Sequence, residues 1–238
     1  VDIDAQAKTV ANAIAYFTVT NQTAEITSPI NLVQDAIGQS MNAFTPLQMA
    51  NYVATLANGG TRYKVSIVDK VTSPTGEIIQ EFTPEVVESN PIDPEILQIV
   101  KEGMRRVNTS PSNGTVYELF GNFPIEVVGK TGTADFGTSE QYEFQGRKAY
   151  ANYISFAPMD NPQIAIFSTI YDGNRGGNSA YVHKGIYEAF FKDELLAINP
   201  NYAETSETFQ KYVVEAPADN NQEAEEENQQ QEAEGEVQ

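Results

Sequence analysis

Three strand-like segments follow one another late in this chain, with no helical pattern between them, and this order limits the available folds. The segments are Ile125–Thr133, Tyr150–Ala157 and Gln163–Tyr171. Parallel neighbours need a long crossover connection, usually a helix, whereas antiparallel neighbours can be joined by a turn. The sequence therefore predicts an α+β protein with an antiparallel sheet rather than an alternating β-α-β protein.

Helical patterns flank these strands. The clearest follows Phe44, where Thr45 suits the N-cap, Pro46 suits the first helical position and Asn58–Gly60 supplies the stop. A second helix is predicted to begin at Asp93-Pro94. The other expected elements are a short helix at Ala5–Phe17, a hairpin of Lys64–Thr72 with Glu77–Phe82, a loop at Asn108–Gly114 and a final helix at Ala180–Leu196. Together they predict a sheet flanked by helices.

The C-terminal stretch is acidic and of low complexity. Nine acidic residues and no Lys or Arg lie between Glu215 and Gln238, and without them the net charge changes from -19 to -10. Such a composition cannot bury enough apolar surface to fold, so disorder is expected from about Ala216. We divide the chain into an unassigned junction at residues 1–30, a folded part at 31–198 and an acidic low-complexity tail at 199–238.

Composition excludes several function classes. The net charge of -19 argues against nucleic acid as a partner. The absence of cysteine excludes disulfides, thiolate catalysis and zinc–cysteine sites, and no His/Asp cluster has metal-ligand spacing, so no metal and no cofactor is expected. His183 is the single histidine, and a surface or packing role is expected for it rather than a catalytic triad.

The sharpest motif reads V-V-G-K-T-G-T-A, at Val127–Ala134. It is compatible with a surface hairpin that contains Gly and Lys by chance. A phosphate-binding P-loop would need Gly five residues before Gly129, but position 124 is proline, so that interpretation is rejected. The third interpretation is the K-T-G strand of serine acyltransferases, which places a cation, a hydroxyl and a backbone N–H along one rim of a cleft.

The surrounding sequence favours the K-T-G strand. Ala36–Ser40 reads A-I-G-Q-S, Phe44–Tyr52 reads F-T-P-L-Q-M-A-N-Y, and N-G-G follows at Asn58–Gly60. Gly114-Thr115 precedes the motif, and Y-I-S-F-A-P follows it at Tyr153–Pro158. In order and spacing these segments resemble the transpeptidase domain of penicillin-binding proteins, from roughly Asn31 to Lys192, and most of all class B, elongation-type penicillin-binding protein 2. The resemblance implies the penicillin-binding/β-lactamase-like transpeptidase fold.

The resemblance also implies an activity and a site. The family is a serine D,D-transpeptidase that cross-links peptidoglycan stem peptides through an acyl-enzyme, which β-lactams trap. Carried over, Lys130, Thr131 and Thr133 would bind the terminal carboxylate of D-Ala-D-Ala, and Gly132 would shape the strand. The Thr133 backbone N–H would be one oxyanion donor. Stem peptides and β-lactams are then the expected ligands, and the extracytoplasmic face of the bacterial plasma membrane is the expected location, through an N-terminal anchor outside this sequence.

The family's nucleophile motif, S-x-x-K, does not occur in this sequence, because no serine has lysine at the third following position. Thr61 and Thr208 do have one, and we interpret both as coincidence. S-x-N occurs once, at Ser40–Asn42, downstream of where the family places it, and is interpreted as structural. The chain is therefore expected to lack the N-terminal part of the domain, to be inactive alone and to need that part, or a complementary chain, as its partner. A non-catalytic cell-wall peptide-binding or interaction protein and one half of a split transpeptidase remain as alternatives.

Overall fold

A computed structural model describes Pro29, Val33, residues 44–135 and residues 146–214 of the chain. The predicted helix at Ala5–Phe17, the segment Ala36–Asn42 and the tail from about Ala216 lie outside the described residues. The described residues form an α+β structure in which helices flank antiparallel sheets. The predicted fold class is therefore confirmed.

Helix α1, Pro46–Ala57, begins and ends where the sequence predicts. The Thr45 hydroxyl accepts a hydrogen bond from the Gln48 N–H at 3.2 Å, and Gln48 Oε1 accepts one from the Thr45 N–H at 2.8 Å. This reciprocal capping box satisfies two backbone donors that a helix start leaves unpaired. At the other end, Gly59 and Gly60 adopt φ of +87° and +113°, a region that other residues rarely enter.

Two small two-stranded sheets follow helix α1. Strand β1 (Thr61–Tyr63) pairs antiparallel with β4 (Val86–Ser89), and between them β2 (Lys70–Thr72) pairs antiparallel with β3 (Ile78–Glu81). The predicted hairpin is confirmed at its turn, but its first arm is shorter than expected. All residues of β2 and β3 are exposed, and an unpacked two-stranded ladder gains too little burial to extend further.

Helix α2, Pro94–Thr109, begins at the predicted Asp93-Pro94 signal, where Asp93 Oδ1 accepts from the N–H groups of Glu95 and Ile96. The helix continues through Asn108 and Thr109, so the loop predicted at Asn108–Gly114 starts two residues later than expected. Asparagine often ends helices by bonding its own backbone. Here the Asn108 side chain is bonded to other elements instead, which removes that competition.

The three predicted sheet strands are confirmed. After the short helix α3 (Tyr117–Phe120) come β5 (Val128–Ala134), β6 (Tyr150–Ala157) and β7 (Ile164–Ile170), which form an antiparallel sheet in the order β5-β6-β7. Helix α1 packs on β7 and β6, and helix α2 packs along β5. The core between these helices and the sheet contains the buried residues Val53, Ala57, Met104, Val128, Phe156 and Met159. The packed helices fix the position of strand β5.

The chain consists of two compact units that divide between His183 and Lys184. Helix α4, Ala180–Phe190, crosses this division, and helix α5, Lys192–Ile198, follows it. The single helix predicted at Ala180–Leu196 is therefore wrong. Phe191 leaves helical geometry with φ of -99° and ψ of 26° as its ring becomes almost fully buried.

Short helical segments continue within the second unit. These are α6 (Tyr202–Thr205), α7 (Glu207–Phe209) and a π-helical turn at Gln210–Val214. They lie in the stretch that the sequence assigns to the acidic tail, and the boundary at residue 199 stays a prediction. A carboxylate anchors them: the fully buried Glu188 accepts a hydrogen bond from the Tyr202 hydroxyl at 3.1 Å and another from the Ser206 hydroxyl, both through Oε1.

Candidate functional site

Strand β5 carries the K-T-G motif at the edge of the described sheet. Lys130 lies opposite Ile154 and Thr131 opposite Tyr153 in the register with β6. Side chains alternate between the two faces of a strand, so Lys130 and Gly132 lie on one face and Thr131 and Thr133 on the other. All four residues assigned to the site by sequence thus fall on one continuous strand, with Lys130 exposed to solvent.

A cavity of about 530 Å³ lies on the lysine side of β5. We call it the lysine cavity; its lining includes Phe44, Met49, Lys130, Thr131, Gly132 and Asn152. A Cβ added to Gly132 would lie 3.5 Å from the Cβ of Asn152, which is an ordinary contact. The described part of the chain therefore does not itself require glycine at position 132, and the missing side chain leaves the cavity open beside Lys130. The Lys130 ammonium donates to the Thr131 carbonyl at 2.6 Å.

A second cavity, of about 430 Å³, lies beside the hydroxyls of the same strand. We call it the threonine cavity; its lining includes Thr115, Glu118, Thr131, Thr133, Arg175 and Gly176. The hydroxyls of Thr115 and Thr131 are 3.2 Å apart, and the Thr133 hydroxyl accepts a hydrogen bond from the Gly176 N–H at 3.0 Å. Thr131 lines both cavities, so they meet at the motif.

Gly176 brings a distant loop against the motif. A Cβ added to this residue would lie 2.6 Å from the carbonyl oxygen of Gly132, closer than real contacts allow. Only glycine permits this approach, and the close contact places the Gly176 N–H on the Thr133 hydroxyl. The loop contains Gly173, Gly176 and Gly177 and is glycine-rich in the sequence, but it was not among the predicted site residues. A glycine-rich loop after a strand was the available signal, and it did not indicate which strand the loop would meet.

A buried hydrogen-bond network holds the start of β5. Asn108 on α2 donates from Nδ2 to the Val127 carbonyl at 2.7 Å, and its Oδ1 accepts from the Tyr153 hydroxyl at 2.8 Å. Asn108 and Tyr153 are both fully buried. The same Tyr153 hydroxyl would be 2.3 Å from a Cβ on Gly129, so the first glycine of the motif makes room for this network. The network thus links helix α2 and strand β6 to the residue that precedes the motif strand.

His183 has a packing role. It has no exposed area, and its Nδ1 lies 2.6 Å from the Ser155 hydroxyl while its Nε2 lies 2.8 Å from the Ser168 hydroxyl. Burial lowers its pKa to about 3, because the imidazolium would lose its hydration there. His183 lines neither the lysine cavity nor the threonine cavity. The histidine therefore stays neutral at physiological pH and joins strands β6 and β7 to helix α4.

Among the residues that the structure describes, no group of three or more His, Asp or Glu side chains could hold a metal ion. In the same residues, no helix is both long enough and apolar enough to cross a membrane. The motif strand offers a lysine ammonium, threonine hydroxyls and backbone N–H groups, a set suited to binding a carboxylate.

Comparison with protein families gives a match over most of the chain. The model of the penicillin binding protein transpeptidase domain matches residues 13–192. This range contains the K-T-G strand and every lining residue of both cavities.

Individual relatives agree with this match. The chain is 35% identical over 143 residues to penicillin-binding protein 2B of Streptococcus pneumoniae, which is 57% of this chain and 20% of that protein. It is 29% identical over 147 residues to the peptidoglycan D,D-transpeptidase MrdA of Escherichia coli, which is 59% of this chain and 23% of that protein. The chain thus spans well under a third of the length of these relatives.

A solved structure shares the fold. Penicillin-binding protein A from M. tuberculosis, in its imipenem acyl-enzyme complex, superposes with a TM-score of 0.54 at 26% identity. The similar region covers 65% of this chain and 32% of that one.

Proposed function

The chain belongs to the penicillin-binding protein transpeptidase family, and on that premise we propose that it supplies the carboxylate-binding wall of a peptidoglycan D,D-transpeptidase site. The observation that carries the proposal is the edge strand β5. This strand sets the exposed Lys130 and the hydroxyls of Thr131 and Thr133 around Gly132, where the chain leaves open space. A stem peptide that ends in D-Ala-D-Ala is the proposed ligand.

The residues of β5 take distinct roles in this proposal. The Lys130 ammonium and the hydroxyls of Thr131 and Thr133 bind the terminal carboxylate, since charge-assisted hydrogen bonds are stronger than neutral ones. The Thr133 N–H stabilises the oxyanion that forms when the peptide carbonyl is attacked. Gly132 lets the peptide backbone approach the strand. β-Lactams would occupy the same wall, because they carry a carboxylate beside a reactive carbonyl.

The nucleophile of the proposed reaction lies outside this sequence. No S-x-x-K occurs in it, so the serine and its activating lysine would come from an upstream part of the same domain or from a complementary chain. In this proposal the assembled domain lies at the extracytoplasmic face of the plasma membrane. The chain alone would bind peptide but would not cleave it.

The first test of this proposal is peptide binding. A Lys130→Ala variant should bind an acetylated peptide ending in D-Ala-D-Ala about 10- to 100-fold more weakly than the wild-type chain, because one charge-assisted hydrogen bond to the carboxylate is lost. Isothermal titration calorimetry measures the change. Lys70→Ala is the matched control, since Lys70 is an exposed lysine that lines neither cavity. Equal affinity of wild type and Lys130→Ala would refute the assignment of the carboxylate site.

The second test is acylation. Intact-mass analysis of the chain after incubation with imipenem should show no added mass, because the activated serine is absent. A penicillin-binding protein that contains S-x-x-K serves as the positive control in the same buffer. A stoichiometric adduct on the wild-type chain would mean that a residue of this sequence acts as nucleophile, and peptide mapping would identify it.

A further inference from the structure

Helix α2 carries an apolar stripe on its solvent side, while its opposite side packs along strand β5. Ile96, Ile99 and Val100 are 57%, 72% and 40% exposed. Residues three and four apart lie on one side of a helix, so these side chains are continuous with Gly103. We call the four residues the α2 stripe. Single exposed apolar side chains are ordinary, but a continuous group of them is typical of an interaction surface.

Gly103 has no structural role within the described part of the chain. It lies inside a 16-residue helix, and a Cβ added to it would meet nothing within 4 Å. Glycine in a helix interior is less stable than alanine, because its backbone loses more freedom on folding. The missing side chain leaves a gap in the stripe beside the protruding Ile99. A partner helix with a large apolar side chain at this height would fill the gap.

The two ends of the stripe carry opposite charges. Glu95 lies in the first turn of α2 and Arg106 in the last turn. Glu95 is exposed and forms no ion pair with any described residue, and the Arg106 side chain, which contacts Glu102, is still 72% exposed. In an antiparallel pair of identical helices, the first turn of each copy meets the last turn of the other. The stripe is therefore complementary in charge to a second copy of itself.

The stripe is also complementary to itself in shape. If a two-fold axis passes midway between Ile99 and Gly103, Ile99 of each copy lies over the Gly103 gap of the other. The same register sets Glu95 opposite Val107 of the second copy, about 1.5 Å along the helix axis from Arg106. One register thus fills both gaps and brings together both pairs of opposite charges. This reciprocity is what a two-fold symmetric interface requires.

We infer that the α2 stripe is a homodimer interface, in which two copies of the chain pair antiparallel through Ile99 and Gly103, with Glu95 and Arg106 at the ends. One helix face buries less than the roughly 800 Å² per partner of a standard interface, so a reversible dimer with a Kd of about 10 to 200 µM is expected. Because α2 packs along β5, the dimer joins two motif strands in one assembly. The inference does not depend on peptide binding.

Sedimentation velocity at chain concentrations of about 5 to 500 µM tests the interface. About 0.15 M salt screens the repulsion between chains of net charge -19. The wild type should shift from monomer to dimer across this range, and Ile99→Glu should raise the Kd at least tenfold. Gly103→Leu should do the same by filling the gap, and it should not weaken the helix, because leucine is a better helix former than glycine. Ile79→Glu, at a 68% exposed isoleucine of β3, is the matched control and should leave the Kd unchanged.

A charge exchange tests the antiparallel register. Glu95→Arg alone and Arg106→Glu alone each place like charges at both ends of the pair, so each variant should dimerise about three- to tenfold more weakly than the wild type. An equimolar mixture of the two variants should recover the wild-type Kd, because every helix end then meets an opposite charge. Covering of the stripe by the upstream part of the domain would produce no such recovery.

Three results would overturn the inference. The first is a wild-type chain that stays monomeric at the highest concentration, which would leave the stripe to the upstream part of the domain. The second is a dimer whose Kd is the same in Ile99→Glu as in Ile79→Glu, since another surface would then join the copies. The third is a mixture of Glu95→Arg and Arg106→Glu that dimerises no better than either variant alone.

Discussion

Replacing Asn108 by alanine should lower the free energy of unfolding by about 3 to 5 kcal/mol, the largest effect that we expect from a single substitution. The Val127 carbonyl and the Tyr153 hydroxyl would each lose a partner at distances of 2.7 and 2.8 Å, in a fully buried position. A buried polar group that loses its partner costs about 1 to 3 kcal/mol, and the space left by the side chain adds to the cost. Urea unfolding followed by circular dichroism measures the loss.

Two further variants make this prediction specific. Asn113→Ala removes an exposed asparagine from the loop that follows helix α2. This substitution should change the free energy of unfolding by less than about 0.5 kcal/mol. Tyr153→Phe removes one hydroxyl and should cost less than Asn108→Ala, because the Val127 carbonyl keeps its donor. If Asn108→Ala were as stable as Asn113→Ala, the network would not hold strand β5. Because Val127 directly precedes β5, we expect Asn108→Ala to weaken peptide binding as well.

Acidification should destabilise the chain through His183. The folded pKa of this histidine is about 3, below its ordinary value of 6.5, because burial disfavours the imidazolium. Between these two values the unfolded chain binds a proton that the folded chain does not. The stabilisation from the neutral ring is therefore complete above about pH 6.5 and is lost as the pH falls toward 3. The loss is about 1.4 kcal/mol per pH unit.

A His183→Gln variant isolates this effect. Glutamine stays neutral and can still hydrogen bond to the hydroxyls of Ser155 and Ser168, while the titrating carboxylates are the same in both proteins. The stability difference between wild type and variant should shift by about 2 kcal/mol, against the wild type, between pH 6.5 and 4.5. His183 is the single histidine, so no second imidazole confuses the comparison. Parallel stability curves for the two proteins would contradict the buried neutral histidine.

Local sequence signals were sufficient to predict most of the helices and strands. Thr45 and Asp93 begin helices as predicted because an N-cap acts within its own first turn. Strands β6 and β7 were visible as largely apolar runs, whereas β5 consists mostly of the glycines, lysine and threonines of the motif. The helix boundaries that were predicted wrongly depend on contacts with residues distant in sequence. Asn108 stays helical because its side chain is hydrogen bonded to Val127 and Tyr153. The helix predicted to reach Leu196 breaks at Phe191, where the ring becomes buried.

The residues of the candidate site could also be predicted only in part from the sequence. The K-T-G strand could be found from sequence, because its four residues are contiguous and the neighbouring segments resemble one family. Thr115 and Gly176 could not be assigned, since they reach the motif from 16 and 43 residues away. Glu118 in the short helix α3 and Arg175 in the loop after β7 are single exposed charged residues, and only the cavity that they share distinguishes them from ordinary surface residues.

The anchor at Glu188 has a consequence for where this polypeptide can be shortened. Oε1 of this fully buried carboxylate is held by the hydroxyls of Tyr202 and Ser206, while Oε2 makes no hydrogen bond to any described residue. Trimming the C-terminus back beyond Ser206 would remove one hydrogen-bond donor of this carboxylate and leave the Tyr202 hydroxyl and the Lys184 ammonium, 3.7 Å from Oε1, as its partners. The loss of a hydrogen bond to a buried charged group costs about 1.5 to 3 kcal/mol. The second unit therefore has its earliest tolerable end point after Ser206, even though the helices there are only a few residues long.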